Sequence, residues 1–160
     1  MKKKKTTRQQ IVDEARTWLG TPFHHQGRLK GVGADCAGIV DGVARAFGFS
    51  GNVPVNYGRQ PDCKAMKAVL DEHMDPIPVA EATLADVLWF AFDGDPQHVG
   101  IITDLAGASI SDAAPGGDTP CGRFGILHSY AQAKKCVEHG MDDVWRKRIR
   151  GAWRFRGIES

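Results

Sequence analysis

The stretch Val87-Leu88-Trp89-Phe90-Ala91-Phe92-Asp93-Gly94-Asp95-Pro96-Gln97-His98-Val99-Gly100-Ile101-Ile102-Thr103 divides the chain into two unlike halves. Val87 to Phe92 and Val99 to Thr103 are short runs of branched and aromatic residues, and Asp93 to Pro96 between them is turn chemistry. Two strands joined as an antiparallel hairpin are expected. Gly125 to Tyr130 and Gly151 to Phe155 have the same character and predict further strands. Upstream the period changes. Ile11, Val12, Ala15, Trp18 and Leu19 recur at three- and four-residue steps, predicting a helix over 9–19 that Gly20, Thr21 and Pro22 end. Val40, Val43, Ala44 and Phe47 form a second stripe behind Cys36, with Asp35 as N-cap and Gly48 as stop. Ala65, Met66, Val69 and Leu70 predict a shorter third helix before Pro76. Residues 23–34 and 106–122, rich in Gly and polar residues, read as loops. Helices followed by strands without βαβ alternation predict an α+β domain, its N-terminal helices packed on one antiparallel β-sheet.

At 160 residues, 42% hydrophobic and 25% charged, the chain suits a single domain over 1–160. Lys2 to Lys5 suggest a flexible tail over 1–8. The 21 basic and 19 acidic residues leave a formal charge of +2, which supplies no global field for nucleic acid or an anionic membrane. The basic residues Arg146, Lys147, Arg148, Arg150, Arg154 and Arg156 are interleaved with Trp145, Ile149, Trp153 and Phe155, which predicts a solvated strand face. No window approaches the roughly 18 apolar residues of a membrane span. Thr6 to Arg16 offer no apolar core for a signal peptide, so a cytoplasmic protein as synthesised is expected. Cys36, Cys63, Cys121 and Cys136 are far apart and expected to be free thiols. With His24 and His25 they form no local Cys-x2-Cys or His-x3-His pair, so neither metal nor cofactor is expected.

The chemistry concentrates in Ala34-Asp35-Cys36-Ala37-Gly38. A cysteine in the first turn of a helix faces partial positive charge and free N–H groups, which favour a thiolate. A free cysteine is most often a small buried residue. Gly33 and Gly38 argue for a nucleophile, because they are expected to leave room for a substrate backbone at the sulfur. A thiol needs a base, and His98 at the start of its strand is the candidate. His128, in Ile126-Leu127-His128-Ser129-Tyr130, is expected on the next strand about 5 Å away, where it can hydrogen-bond the far nitrogen of His98 and fix its tautomer.

These residues resemble the NlpC-type cell-wall cysteine peptidases of the papain superfamily. The resemblance runs through Ala15-Arg16, Gly20-Thr21-Pro22, the Asp-Cys-x-Gly element at 35–38, His-Val-Gly-Ile at 98–101 and Leu127-His128. His25-Gln26, Gly31-Val32-Gly33 and the pattern from Trp145-Arg146 to Phe155 are similar to the branch encoded with phage tails and gene transfer agents. The resemblance implies a papain-like fold and hydrolysis of peptidoglycan stem peptides, typically from γ-D-glutamate to diaminopimelate or lysine. By position it implies Cys36 as nucleophile, His98 as base and His128 as orienting residue, with Asp35, Ala37, Gln26, His25 and Phe23 as substrate or oxyanion contacts. Many members carry Tyr at the place of Phe23, and Gln26 or His25 stands in for that hydroxyl. The long loop 106–122 separates the two histidines more widely than is common in the family, which leaves Asp104, Asp112 and Asp118 as alternatives to His128. The partners implied are the stem peptide and phage-tail proteins, with delivery to the wall in a phage-like particle. A structural tail component that has lost activity and an acyl-transfer enzyme on the same scaffold are the alternatives; intact Cys36, His98 and His128 argue against the first.

Overall fold

In the computed structural model the described residues are 5–49, 63–92, 95–105 and 124–159. The chain is α+β. Helix α1 (Arg8–Arg16) opens on a capping box in which Gln10 N–H donates to Thr7 Oγ1 and Thr7 N–H donates to Gln10 Oε1. Of the tail expected over 1–8, Thr6 pairs with Ile158, Thr7 caps the helix and Arg8 begins it, while residues 1–4 lie outside the described residues. The helix also stops before Leu19, because the N–H groups of Thr17, Trp18 and Leu19 take carbonyls three residues back. That tightening turns Trp18 into the core, against Gly42 of helix α2 (Cys36–Ala46), where a Cβ would fall 2.1 Å from the indole. Helix α2 ends as predicted, at Phe47 and Gly48, the latter with φ +70°.

Residues 23–34 are not a plain loop. They carry the short antiparallel pair β1 (Arg28–Leu29) and β2 (Gly33–Ala34), too short and too rich in glycine to show a strand period. Helix α3 (Cys63–His73) leads directly into β3 (Met74–Ile77), which no alternation announced because Asp75 and Pro76 occupy its middle. The strands β4 (Val87–Phe92), β5 (Asp95–Thr103), β6 (Gly125–Tyr130), β7 (Lys135–Gly140) and β8 (Ile149–Phe155) complete one sheet. Its order is β3-β8-β4-β5-β6-β7, antiparallel throughout. The hairpin of β4 and β5 forms as expected, although Asp95 and Pro96 pair within the ladder and do not turn. A short helix α4 (Asp143–Arg146), capped by Asp142, joins β7 to β8. The loop expected over 106–122 lies outside the described residues.

The pleat gives the sheet two apolar faces. Val87, Trp89, Val99, Ile101, Leu127, Cys136, Trp153 and Phe155 meet the helices, including Ile11, Val12, Val40 and Val43. Leu88, Phe90, Ile102, Ile126 and Ala152 form a second cluster with Met141, partly covered by Trp145. No helix among the described residues is long and apolar enough to cross a membrane. The C-terminal basic residues are not simply a solvated face. Arg154 makes two hydrogen bonds to the fully buried Asp86 (2.7 and 2.9 Å), which also takes Arg8 at 3.1 Å and so ties α1 to β8. The pairing arises because Asp86, just before β4, has no water to solvate its charge.

Candidate active site

Two structures meet at β5. The first is the start of α2, where Asp35 accepts hydrogen bonds from Gly38 N–H through Oδ1 and from Gln26 N–H through Oδ2, both 2.8 Å. One carboxylate thus caps the helix and fastens the preceding loop to it. Gln26 holds a left-handed φ of 61° at this junction. The glycines here serve packing and not substrate entry as predicted. A Cβ on Gly38 would fall 2.1 Å from the Gly27 carbonyl oxygen, and one on Gly33 would fall 2.8 Å from His24 Cβ.

Cys36 is half-buried, and its sulfur faces the N–H groups of Val99, Ala37 and its own backbone. Those donors lower the thiol pKa, but burial first and the Asp35 carboxylate second outweigh them and push it up to about 12. The expectation that the helix start makes a resting thiolate is therefore reversed. A single helix turn supplies a fraction of a charge, and desolvation of a whole one is the larger effect.

The second structure is a row of histidines on the other side of β5. His98 Nε2 hydrogen-bonds His128 Nδ1, as its expected place on the next strand required. His128 Nε2 continues to His139 Nε2 at 2.8 Å, and His139 Nδ1 lies 3.0 Å from the carbonyl oxygen of Gly140. The pairs are diagonal neighbours, since Ile101 pairs with Leu127 and Ile126 with His139. The Trp145 ring stands 4.9 Å from His128, 5.3 Å from His139 and 6.0 Å from His98, centroid to centroid. Tyr130 stacks on His128 at 5.4 Å. Burial pulls His98 down to about 3 and His128 to about 2, with a smaller contribution from the neighbouring rings, His139 acting on His98 and both His98 and His139 acting on His128. Both rings are therefore neutral imidazoles near pH 7.

In sequence, no family model and no curated protein matches the chain. Solved structures do match in shape. The NlpC/p60 domain of the peptidoglycan hydrolase SagA superposes with TM-score 0.57 and 20% identity over 94% of this chain and 100% of that domain. The chain has the NlpC/p60 fold. An NlpC/p60 family protein from Bacillus cereus gives TM-score 0.63 and 16% identity over 95% of this chain, which spans 41% of that protein. An N-acetylmuramoyl-L-alanine amidase from Bacteroides uniformis gives TM-score 0.55 and 10% identity, covering 93% of this chain and 98% of that one.

Within the NlpC/p60 fold, the structure joins His98 to His128 directly and sets Cys36 against the peptide that follows His98. Among the described residues Cys36 is a free thiol, and no hydrogen bond joins its sulfur to the His98 ring. The Ala37 N–H and the Asp35 carboxylate lie close enough to act on the sulfur, whereas Gln26 is joined to that carboxylate through its backbone N–H. Phe23 is held by its backbone, bridging Ala34 and donating N–H to the Lys134 carbonyl, and the His25 carbonyl lies 3.0 Å from His24 Nδ1. Asp104 is committed elsewhere, 3.0 Å from Arg16, while Asp112 and Asp118 lie outside the described residues. Sequence reasoning missed His139 and Trp145. The signal for His139 was the alternation in Lys135-Cys136-Val137-Glu138-His139, hidden because its inward residues include a carboxylate bound by Arg16.

Proposed function

We propose that this chain is a cysteine peptidase that hydrolyses peptide bonds in peptidoglycan, with Cys36 as nucleophile, His98 as base and His128 as the residue that orients it. The observation that carries the reading is the join at β5. The thiol lies against the Val99 N–H, one residue from an imidazole whose Nε2 is already engaged by His128. That leaves His98 Nδ1 as the nitrogen available to a proton.

Both groups rest neutral, so attack and proton transfer belong to one step. As the sulfur bonds to the carbonyl carbon, its proton passes to His98 Nδ1, so the positive imidazolium and the negative charge moving onto the carbonyl oxygen appear together, each lowering the cost of the other. The carbonyl oxygen becomes an oxyanion beside the N–H groups at the start of α2. His98 then returns its proton to the leaving amine, giving a thioester and a free amine. Water, losing a proton to His98, hydrolyses the thioester and restores the thiol.

The cell wall as substrate is supported by the SagA domain, whose name is that of a peptidoglycan hydrolase. The bond from γ-D-glutamate to diaminopimelate or lysine, and association with a phage-like tail, are the finer readings, supported by the sequence resemblance. The Bacteroides uniformis amidase favours a second reading, cleavage between the sugar and L-alanine. Mass spectrometry of products from intact peptidoglycan and from defined muropeptides separates the two by the fragment released. Hydrolysis is expected from the native protein and not from Cys36→Ala, with circular dichroism unchanged. Turnover that survives in folded Cys36→Ala, or no product from any wall substrate, overturns the proposal.

A further inference from the structure

The row of histidines does not end at the residue that orients His98. Its outer end is a backbone carbonyl, and that fixes the direction of every proton in the row. Gly140 O can only accept, so His139 Nδ1, 3.0 Å away, carries the hydrogen. His139 in its neutral form then has a lone pair on Nε2. His128 Nε2, at 2.8 Å, must be the donor to it, which leaves His128 Nδ1 as an acceptor. His98 Nε2, bonded to that atom, must donate. The lone pair of His98 is thereby placed on Nδ1.

From this ordering we infer that His139 is a further positioning residue, which sets the tautomer of the base His98 through His128. The inference rests on the proposed Cys36–His98 chemistry for its catalytic consequence, and on the hydrogen-bond geometry alone for the tautomers. His128 by itself cannot set the direction, because a neutral imidazole between two others satisfies its neighbours equally well with the proton on either nitrogen. The asymmetry has to come from a group of fixed polarity, and the Gly140 carbonyl, reached through His139, supplies it. Trp145 lies over His98, His128 and His139, and its ring limits the access of water that would otherwise donate or accept at these nitrogens. The step involves no net proton uptake: it chooses which of two neutral forms the base holds.

The test uses the full chain labelled with ¹⁵N at histidine, in which two-bond nitrogen–proton spectra near pH 7.5 distinguish the tautomers. His98 and His128 are expected as Nε2–H forms and His139 as the Nδ1–H form. In His139→Gln the side-chain carbonyl keeps an acceptor for His128, so both tautomers and kcat should be kept within about threefold. In His139→Leu the acceptor is lost, and His98 should become a mixture of tautomers. On a defined muropeptide kcat should then fall roughly 10- to 100-fold with KM nearly unchanged, less than the about 10⁴-fold of a direct orienting residue forcing the wrong tautomer. An Nδ1–H form at His98 in the native protein overturns the inference, as does a His139→Leu protein that keeps the pure Nε2–H form. Should the native protein cleave no wall substrate, the peptidase reading fails while the spectra still decide the relay.

Discussion

Gly100 on β5 leaves the space that His128 on β6 fills: a Cβ built on Gly100 would lie 3.3 Å from His128 Cβ and 2.7 Å from Ile126 Cδ1. His128 and a core isoleucine share the volume of one absent methyl group. Gly100→Ala should therefore cost about 1–3 kcal/mol by overpacking. It should also displace the His128 ring and lower kcat. Denaturant unfolding and muropeptide kinetics check both, and a variant of native stability and native kcat contradicts the packing argument.

His128→Ala should lower kcat by roughly 10- to 10⁴-fold and leave KM nearly unchanged, because the ring is fully buried and both its nitrogens are engaged by His98 and His139. Asn or Gln at 128, which keep an acceptor for His98 Nε2–H, should recover part of the loss. Asp104→Ala should leave kcat at its native level, since that carboxylate is paired with Arg16. Loss of kcat in Asp104→Ala with retention in His128→Ala would reverse the assignment.

The two inner histidines should make stability fall in mild acid. Burial lowers both below the ordinary 6.5, His98 to about 3 and His128 to about 2. Between pH 6.5 and those values the unfolded chain takes up protons that the folded chain refuses, so stability is complete above pH 6.5 and drains away as pH falls. Each ring contributes at most about 1.4 kcal/mol per pH unit. Urea midpoints at pH 7 and pH 5 measure the slope, which should be shallower in His128→Asn. An identical slope in that variant excludes His128 as a source.

Activity should follow the same directions. His98 is needed neutral and Cys36 begins as a thiol, its pKa raised from the ordinary 9.0 to about 12. The kcat/KM profile should be bell-shaped, with an acid limb below pH 6.5 and an alkaline limb above pH 9. An acid limb centred above pH 6.5 is incompatible with a buried neutral base.

Asp86→Ala should destabilise the fold by about 3–5 kcal/mol, because it strands Arg8 and Arg154 beside the emptied site. Asp75→Ala, which removes the exposed partner of Arg156, should cost at most about 1 kcal/mol. Thermal unfolding of the two variants side by side checks the contrast, and equal losses contradict it.

The helices and the strands that carry Cys36, His98 and His128 were legible because each has an unbroken local pattern. Val40, Val43 and Ala44 keep helical spacing behind Cys36, and β6 (Gly125–Tyr130) appears at its predicted limits. The strands β3 and β7 were not legible, since Asp75 and Pro76 interrupt the first and Glu138 and His139 lie on the two faces of the second. In both, polar residues are satisfied by partners far along the chain, such as Arg16 for Glu138, and local pattern carries no trace of that.

The sequence by itself determined the α+β class, the cysteine at a helix start and two histidines on neighbouring strands, because helix period, capping and strand composition are local properties. Tertiary structure decided the rest. Whether the thiol rests neutral depends on burial against the opposing N–H groups, and the third histidine joins the row only through the pairing of β6 with β7. Desolvation and cross-strand register are set by what lies across space, and residues adjacent in sequence do not fix them.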